Sequence, residues 1–331
     1  MNTDIQPVTG PQVWRGDELL ARSSWLHHLP SAILDDLEEA VHEAAARNVT
    51  QYDFKFEAVE IPDLRTALAP VVTELASGTG VALIRGMETE RYTVEELKLA
   101  YLVIGNHMGL VGPQEGRDKS IGEVRDVNPT DRSHYYHGGG PLPMHMDPID
   151  VAGLLCIRKA KRGGESRIVS AMTVHNEILR TRPDLLKILY RGYRQRRRDH
   201  RRVAGEPQLT DYYCPIFADV GGDIVCNYLP RPILLTVEQG LVAFTPEEAE
   251  ALEMLDETAA RDDLCLSMDF EPGDIQILNN RHILHGRDDY EDFEEMERRR
   301  LLLRLWLTIP GWQKYPEYLP HSDVELQTEP A

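Results

Sequence analysis

Read as a strand, the stretch Arg298-Arg299-Arg300-Leu301-Leu302-Leu303-Arg304-Leu305-Trp306-Leu307 divides from Arg300 onward into two unlike faces, and that alternation restricts the fold more than any other feature of the chain. In a strand, successive side chains leave on opposite faces. Leu301, Leu303, Leu305 and Leu307 therefore share one face, and Arg300, Leu302, Arg304 and Trp306 the other. The leucine face requires a core. The arginine face either lies in solvent at a sheet edge or turns inward, and inward guanidinium groups are costly unless each meets an anion. A planar guanidinium grips a carboxylate through two parallel bonds, so an inward face implies a carboxylate-binding site.

A second stretch, Leu142-Pro143-Met144-His145-Met146-Asp147-Pro148, places an imidazole and a carboxylate two residues apart in what reads as a strand. Side chains so spaced point together. One His and one carboxylate make two-thirds of a facial triad, the site type with open coordination positions that suits non-haem Fe(II). Alone, His-x-Asp arises by chance, and its ordinary reading is a hydrogen-bonded His beside a surface Asp. The third ligand has two candidates. Pro272-Gly273-Asp274 is a turn that launches a strand, and that strand delivers both His282 and His285. Spacing from the turn does not choose between them, although Gly286 would let the backbone approach a crowded centre beside His285. The histidine left over is a hydrogen-bonded structural residue.

Composition narrows the function classes. A net charge of -19 over 331 residues argues against nonspecific binding to nucleic acid or an anionic membrane, both of which need a basic surface. The four cysteines, Cys156, Cys214, Cys226 and Cys265, are widely spaced without a CxxC pair and read as reduced core thiols of a cytoplasmic protein. The N-terminus lacks a basic-then-apolar signal, and no apolar run approaches the ~20 residues that span a bilayer.

The organisation expected is an N-terminal helical extension over 1–60, a catalytic domain over 61–315 and an acidic tail over 316–331. The extension carries Trp14, Trp25 and a helix capped by Ser31 that ends near Arg47. A helix from about Pro62 to Ala76 leads to a buried strand Val81 to Gly86, and Thr93 with Glu96 forms a capping box. Ser133 to Gly140 reads equally as a lid over a site or as a connector. Val151 to Ile157 reads as a buried strand, Gly163-Gly164-Glu165-Ser166 turns the chain into another, and a hairpin surrounds Gly221-Gly222. Thr245-Pro246-Glu247-Glu248 opens a helix through about Ala259. The basic island from Arg191 to Arg202 has three readings: a solvated face paired with acids, a contact in a homo-oligomer, or a funnel for an anionic substrate.

From about Leu64 to Gly311 the sequence resembles the TauD/TfdA (taurine dioxygenase-like, clavaminate synthase-like) family of Fe(II)- and 2-oxoglutarate-dependent oxygenases. The resemblance is carried by Val81 to Gly86, His145-Met146-Asp147, Gly163-Gly164-Glu165-Ser166, Pro272-Gly273-Asp274, Asn280-Arg281 with His285-Gly286-Arg287, and Arg300 with Arg304. It implies a mainly β chain with flanking helices, folded as a double-stranded β-helix (jelly roll, cupin-like). It implies that His145, Asp147 and His285 bind Fe(II), which decides between the two histidines. It further implies that Arg300 and Ser166 hold the distal carboxylate of 2-oxoglutarate, and that Arg304 contacts an acidic group of the substrate. The implied reaction consumes O2 and 2-oxoglutarate, releases succinate and CO2, and hydroxylates an unactivated C–H bond of a small molecule. Asp147 argues against halogenation, because related halogenases carry a small residue there and bind chloride instead. Met146, bulkier than the family's usual Thr or Ser, and an N-terminal stretch outside the resemblance leave the substrate open. Arg304, with His137 near the mouth, motivates a substrate bearing a carboxylate or another anionic group. The rival readings are desaturation or cyclisation on the same scaffold, a Zn(II) hydrolase, and a noncatalytic jelly-roll binding protein.

Overall fold

In the computed structural model the described residues are 5–54, 59, 61–114, 119–126, 140–197, 205 and 207–312. His137, most of the candidate lid, Arg198, Arg201, Arg202 and the acidic tail lie outside them.

Two β-sheets face one another. The larger runs in the order Leu26–His28, Val81–Arg85, Ile275–Asn279, Val151–Arg158, Leu301–Thr308, Leu110–Val111, with Ile121–Val124 also paired to Leu301–Thr308. The smaller runs Leu266–Met268, Ser166–Ser170, Ile283–Arg287, Leu142–His145. Alternation along each strand decides what fills the space between them. Leu301, Leu303, Leu305 and Leu307 pack outward with Val151, Leu155, Ile275 and Ile277 against the helices Ser31–Ala46, Leu64–Ser77 and Val94–Met108. Met144, Val169 and Leu284 of the smaller sheet pack outward against Ala171–Thr181, Pro183–Arg191, Pro230–Glu238 and Pro246–Ala259. The residues that alternate with these on Leu301–Thr308, Ser166–Ser170 and Ile283–Arg287 face the interior. This is the jelly roll, with helices on both outer faces, that the resemblance implies. No helix among the described residues is long and apolar enough to cross a membrane.

Local chemistry sets the boundaries. Thr93 accepts from the Glu96 amide at 3.3 Å while the Glu96 carboxylate accepts from the Thr93 amide at 2.7 Å. Thr245 and Glu248 repeat the exchange. Ser31 differs from expectation: it is the first helical residue, and Pro30 occupies the cap without a side-chain bond. The strand Leu142–His145 also ends earlier than expected, and Asp147 lies just past it. The turn at Pro272-Gly273-Asp274 needs its glycine, since φ is +91° and a Cβ there would sit 1.9 Å from the Met87 carbonyl oxygen. Asp274 stabilises that turn by accepting from the Glu271 amide and from Arg85 Nε, each at 3.0 Å.

Residues 5–54 are built into the body. Leu26–His28 adds a parallel strand beside Val81–Arg85. Trp14 is fully buried among Leu278, Ile283, Ile168 and Leu302 between the sheets. Its indole Nε1 donates to the Thr79 carbonyl at 3.0 Å, and its backbone exchanges two bonds with the Thr173 hydroxyl. Trp14→Ala is expected to lower unfolding free energy by about 3–5 kcal/mol, the usual cost of deleting a buried aromatic. Denaturant unfolding measures it, and unchanged stability would contradict this placement.

Candidate metal centre

His145 and His285 meet because their strands pair antiparallel with these two residues directly opposite. Their rings lie 4.4 Å apart between centroids, tilted by 50°. Beyond His145 the chain leaves the sheet, and the Met146 amide donates to the Tyr228 carbonyl at 3.0 Å. Met146 is buried under the outer helices, so Asp147 returns to the interior. One ligand atom from each of His145, Asp147 and His285 can be chosen such that all lie within 4.8 Å of one another, and these form the candidate metal cluster among the described residues.

The donor set fits a divalent transition metal. His145 Nδ1 lies 2.9 Å from the Pro143 carbonyl, which can only accept. Nδ1 therefore carries the hydrogen and Nε2 keeps a lone pair for a metal. His285 Nδ1 is buried without a hydrogen-bond partner among the described residues, an orphan that a ligand bond would satisfy. Burial, reinforced by His145 and Arg304 and opposed by Asp147, pushes the His285 pKa down to about 3. A neutral imidazole is the form that coordinates. Burial alone would raise the Asp147 carboxyl, but Arg304, the two imidazoles and the Trp306 indole outweigh it and hold the group below its ordinary value. Trp306 Nε1 donates to Asp147 Oδ2 at 2.8 Å, and Arg304 Nη1 lies 3.7 Å from Oδ1.

Asn280 braces the ligand loop. Its Oδ1 accepts from the Asp147 amide at 3.3 Å, and its Nδ2 donates to the Ile149 carbonyl at 3.1 Å. Next to it, Arg281 pairs with Asp150 at 2.9 Å. His282 faces elsewhere, with Nε2 3.2 Å from Asp223 Oδ1. The metal-lining cavity is walled by Val124, Leu142, Ala152, Leu154 and Leu278, with Gln276 and Arg304 as its polar groups outside the triad. Arg304 Nε donates to Gln114 Oε1 at 3.1 Å, and its guanidinium lies over Trp306. Ser166 donates to Gln276 Oε1 at 3.0 Å. Arg300 lines a separate recess with Cys156, Lys159, Gly163, Gly164, Asp269 and Leu302. It is 4% exposed, and its Nη1 has no partner among the described residues.

Trp306, Gln114, Gln276 and Asn280 were assigned no role from sequence. Parity had already put Trp306 on the inward face. The other three carry no local signal, because their partners lie far away along the chain.

A model of the taurine catabolism dioxygenase TauD, TfdA family matches residues 45–306. FR-33289 synthase of Streptomyces rubellomurinus is 32% identical over 321 residues, covering 95% of this chain and 94% of that protein. Taurine hydroxylase-like protein SAT17 of Stachybotrys chartarum is 26% identical over 291 residues, covering 81% of this chain and 73% of the relative. Asparagine oxygenase, solved with Fe(II), 2S,3S-3-hydroxyasparagine and succinate, superposes with a TM-score of 0.66 at 17% identity, covering 86% of this chain and 93% of that one. The non-haem iron oxygenase OrfP, solved with Fe and alpha-ketoglutaric acid, superposes with a TM-score of 0.60 at 14% identity over 86% and 93% of the two chains. Likeness at such identity is one of fold.

Trp306→Phe removes the donor to Asp147 and is expected to weaken Fe(II) binding by about 10- to 100-fold, the usual effect of losing a bond that orients a metal ligand. His282→Ala is expected to leave Fe(II) binding intact. Anaerobic equilibrium dialysis checks both, and loss of metal in the His282 variant would reopen the ligand assignment.

Proposed function

The chain belongs to the taurine catabolism dioxygenase TauD, TfdA family, and on that premise we propose that it is an Fe(II)- and 2-oxoglutarate-dependent oxygenase that hydroxylates a small anionic molecule. One observation carries the proposal. Two imidazoles and one carboxylate converge on an interior that also holds Arg300, a buried cation whose Nη1 has no partner among the described residues. A hydrolytic metal site would leave Arg300 without a purpose, whereas a dicarboxylate cosubstrate supplies its counter-ion.

His145, Asp147 and His285 hold the metal. When bound, it supplies O2 chemistry coupled to oxidative decarboxylation of 2-oxoglutarate to succinate and CO2, with one oxygen atom going to an unactivated C–H bond. The protein's own part is placement. Trp306 fixes the rotation of the Asp147 carboxylate. Arg300 takes the distal carboxylate of 2-oxoglutarate, and Ser166 sits beside that path, tied to Gln276. The apolar walls from Val124, Leu142, Leu154 and Leu278 keep water from the reacting atoms.

Arg304 is the feature that selects the substrate. It reaches the triad's cavity from the interior face, with its Nη1 3.7 Å from Asp147 Oδ1. A carboxylate or comparable oxyanion on the substrate would bond to this cavity-lining guanidinium and aim the C–H bond at the metal. Asparagine oxygenase and OrfP, whose structures hold hydroxylated amino acids, support acidic or amino-acid-like molecules as the class to test first.

The test is 2-oxoglutarate-dependent release of succinate with a panel of small organic and amino acids. Arg300→Ala is expected to raise the KM for 2-oxoglutarate by about 30-fold or more, the loss of a charge-assisted contact, while moving that for substrate little. Arg304→Gln is expected to do the reverse. Equal effects of each variant on both KM values, or turnover confined to neutral compounds, would contradict the assignment.

A further inference from the structure

We propose that Gln114 is a substrate-binding residue whose side-chain nitrogen acts with the Arg304 guanidinium as a donor pair, taking an acceptor-only oxyanion such as a carboxylate or sulfonate and turning away a neutral amide head. The proposal rests on the anionic-substrate reading above and adds the residue that sets head-group selectivity.

The register brings Gln114 to that place. Across the larger sheet Gln276 pairs with Leu154, Leu154 with Arg304, and Arg304 with Gly122. Residues directly opposite one another share a face, so these four form one row on the interior side. Gln276, Leu154 and Arg304 line the metal cavity, as does Val124, two residues beyond Gly122 on its own strand. Gly122 ends the row without a side chain, and the Gln114 amide occupies the room. A Cβ on Gly122 would lie 3.1 Å from Gln114 Oε1 and 3.7 Å from Arg304 Nε. Neighbouring strands are roughly 4.8 Å apart, so Arg304 stands roughly 10 Å from Gln276, with Gln114 on its far side. Gln114 therefore belongs with Arg304 and is remote from the Ser166–Gln276 contact.

Hydrogen bonding fixes which way the amide faces. Arg304 Nε can only donate, and it takes Gln114 Oε1 at 3.1 Å. Gln114 Nε2, with two N–H donors, is buried without a partner among the described residues, on a side chain whose residue is 5% exposed. A buried amide nitrogen that meets nothing is costly, and an oxyanion in the adjoining cavity would satisfy it. The backbone holds the residue in place, since the Gln114 amide donates to the Lys119 carbonyl at 2.6 Å. A head group carrying N–H donors would set donor against donor at both Nε2 and Arg304, whereas an oxyanion offers acceptors to both.

The experiment is anaerobic calorimetry on the protein loaded with Fe(II) and 2-oxoglutarate, titrated with three probes. Butanoate and propane-1-sulfonate carry anionic, acceptor-only heads; butanamide keeps the length of butanoate but ends in a neutral amide. Wild type is expected to bind butanamide at least about 10-fold more weakly than either anion, the difference a charged partner makes. Gln114→Ala is expected to weaken both anions by about 10- to 100-fold, the loss of one hydrogen bond to a charged group, and to leave butanamide and 2-oxoglutarate unchanged. Gln114→Glu matches the shape and keeps an acceptor for Arg304 Nε, which covers failure of the Ala variant to fold. It removes the donor and adds a like charge, so its loss is confined to the anions and at least as large. Weakening of all three probes alike, of 2-oxoglutarate together with them, or of none would overturn the proposal. Arg304→Gln separates the two levels. If it abolishes the preference for anions and the Gln114 variants do not, only the role of Gln114 is wrong; if wild type binds butanamide as well as the anions, the anionic-substrate reading falls as well.

Discussion

The structure depends on keeping a carboxylate ionised out of water. Asp147 is almost fully buried, and an isolated charge at that depth would cost several kcal/mol. Four groups make it tenable: the Trp306 indole on one oxygen, the Arg304 guanidinium near the other, and the two imidazoles in front. Trp306 and Arg304 stand on one strand, two residues apart, and so face the same way. The leucines between and beside them anchor that strand to the helical layer outside. One strand thereby joins the core of the protein to its chemistry.

The interior is graded by that arrangement. Trp306, Ala152 and Ile149 form a small apolar cluster at the metal end. The ligands, Arg304 and Gln276 come next, and Arg300 lines its own recess on the same strand as Arg304. Elsewhere between the sheets Trp14 and its neighbours fill the space with apolar side chains. A negative ligand set and a positive far end, held by rigid strands, suit a molecule with a chelating head and an anionic tail. Asn280 and Arg281 stiffen the loop that carries Asp147, and their neighbour His282 is bonded to Asp223 instead of joining the ligands.

What the sequence revealed was local. Strand parity over 300–307 put Arg300, Leu302, Arg304 and Trp306 on one face and Leu301, Leu303, Leu305 and Leu307 on the other, and the packed protein has that division. The capping boxes at Thr93 and Thr245 were equally readable, because both partners lie three residues apart. What remained hidden depends on pairings distant in the chain. Spacing could not separate His285 from His282, since the choice lies in the register that sets His285 opposite His145. The Trp306 bond to Asp147 crosses 159 residues. Trp14 reads from sequence as part of an extension, and only the meeting of Thr79, Thr173 and the sheet interior shows why it is buried. The helices Ala171–Thr181 and Pro183–Arg191 went unread, although their apolar faces cover the smaller sheet.

The central claim is that this interior binds Fe(II) and a 2-oxo acid together. It is tested most directly by adding Fe(II) and then 2-oxoglutarate without oxygen and recording the visible spectrum, with His285→Ala as the control. The account predicts a weak charge-transfer band from the chelated 2-oxo acid in the wild-type protein and none in the variant. A folded wild-type protein that binds Fe(II) but shows no band would contradict it.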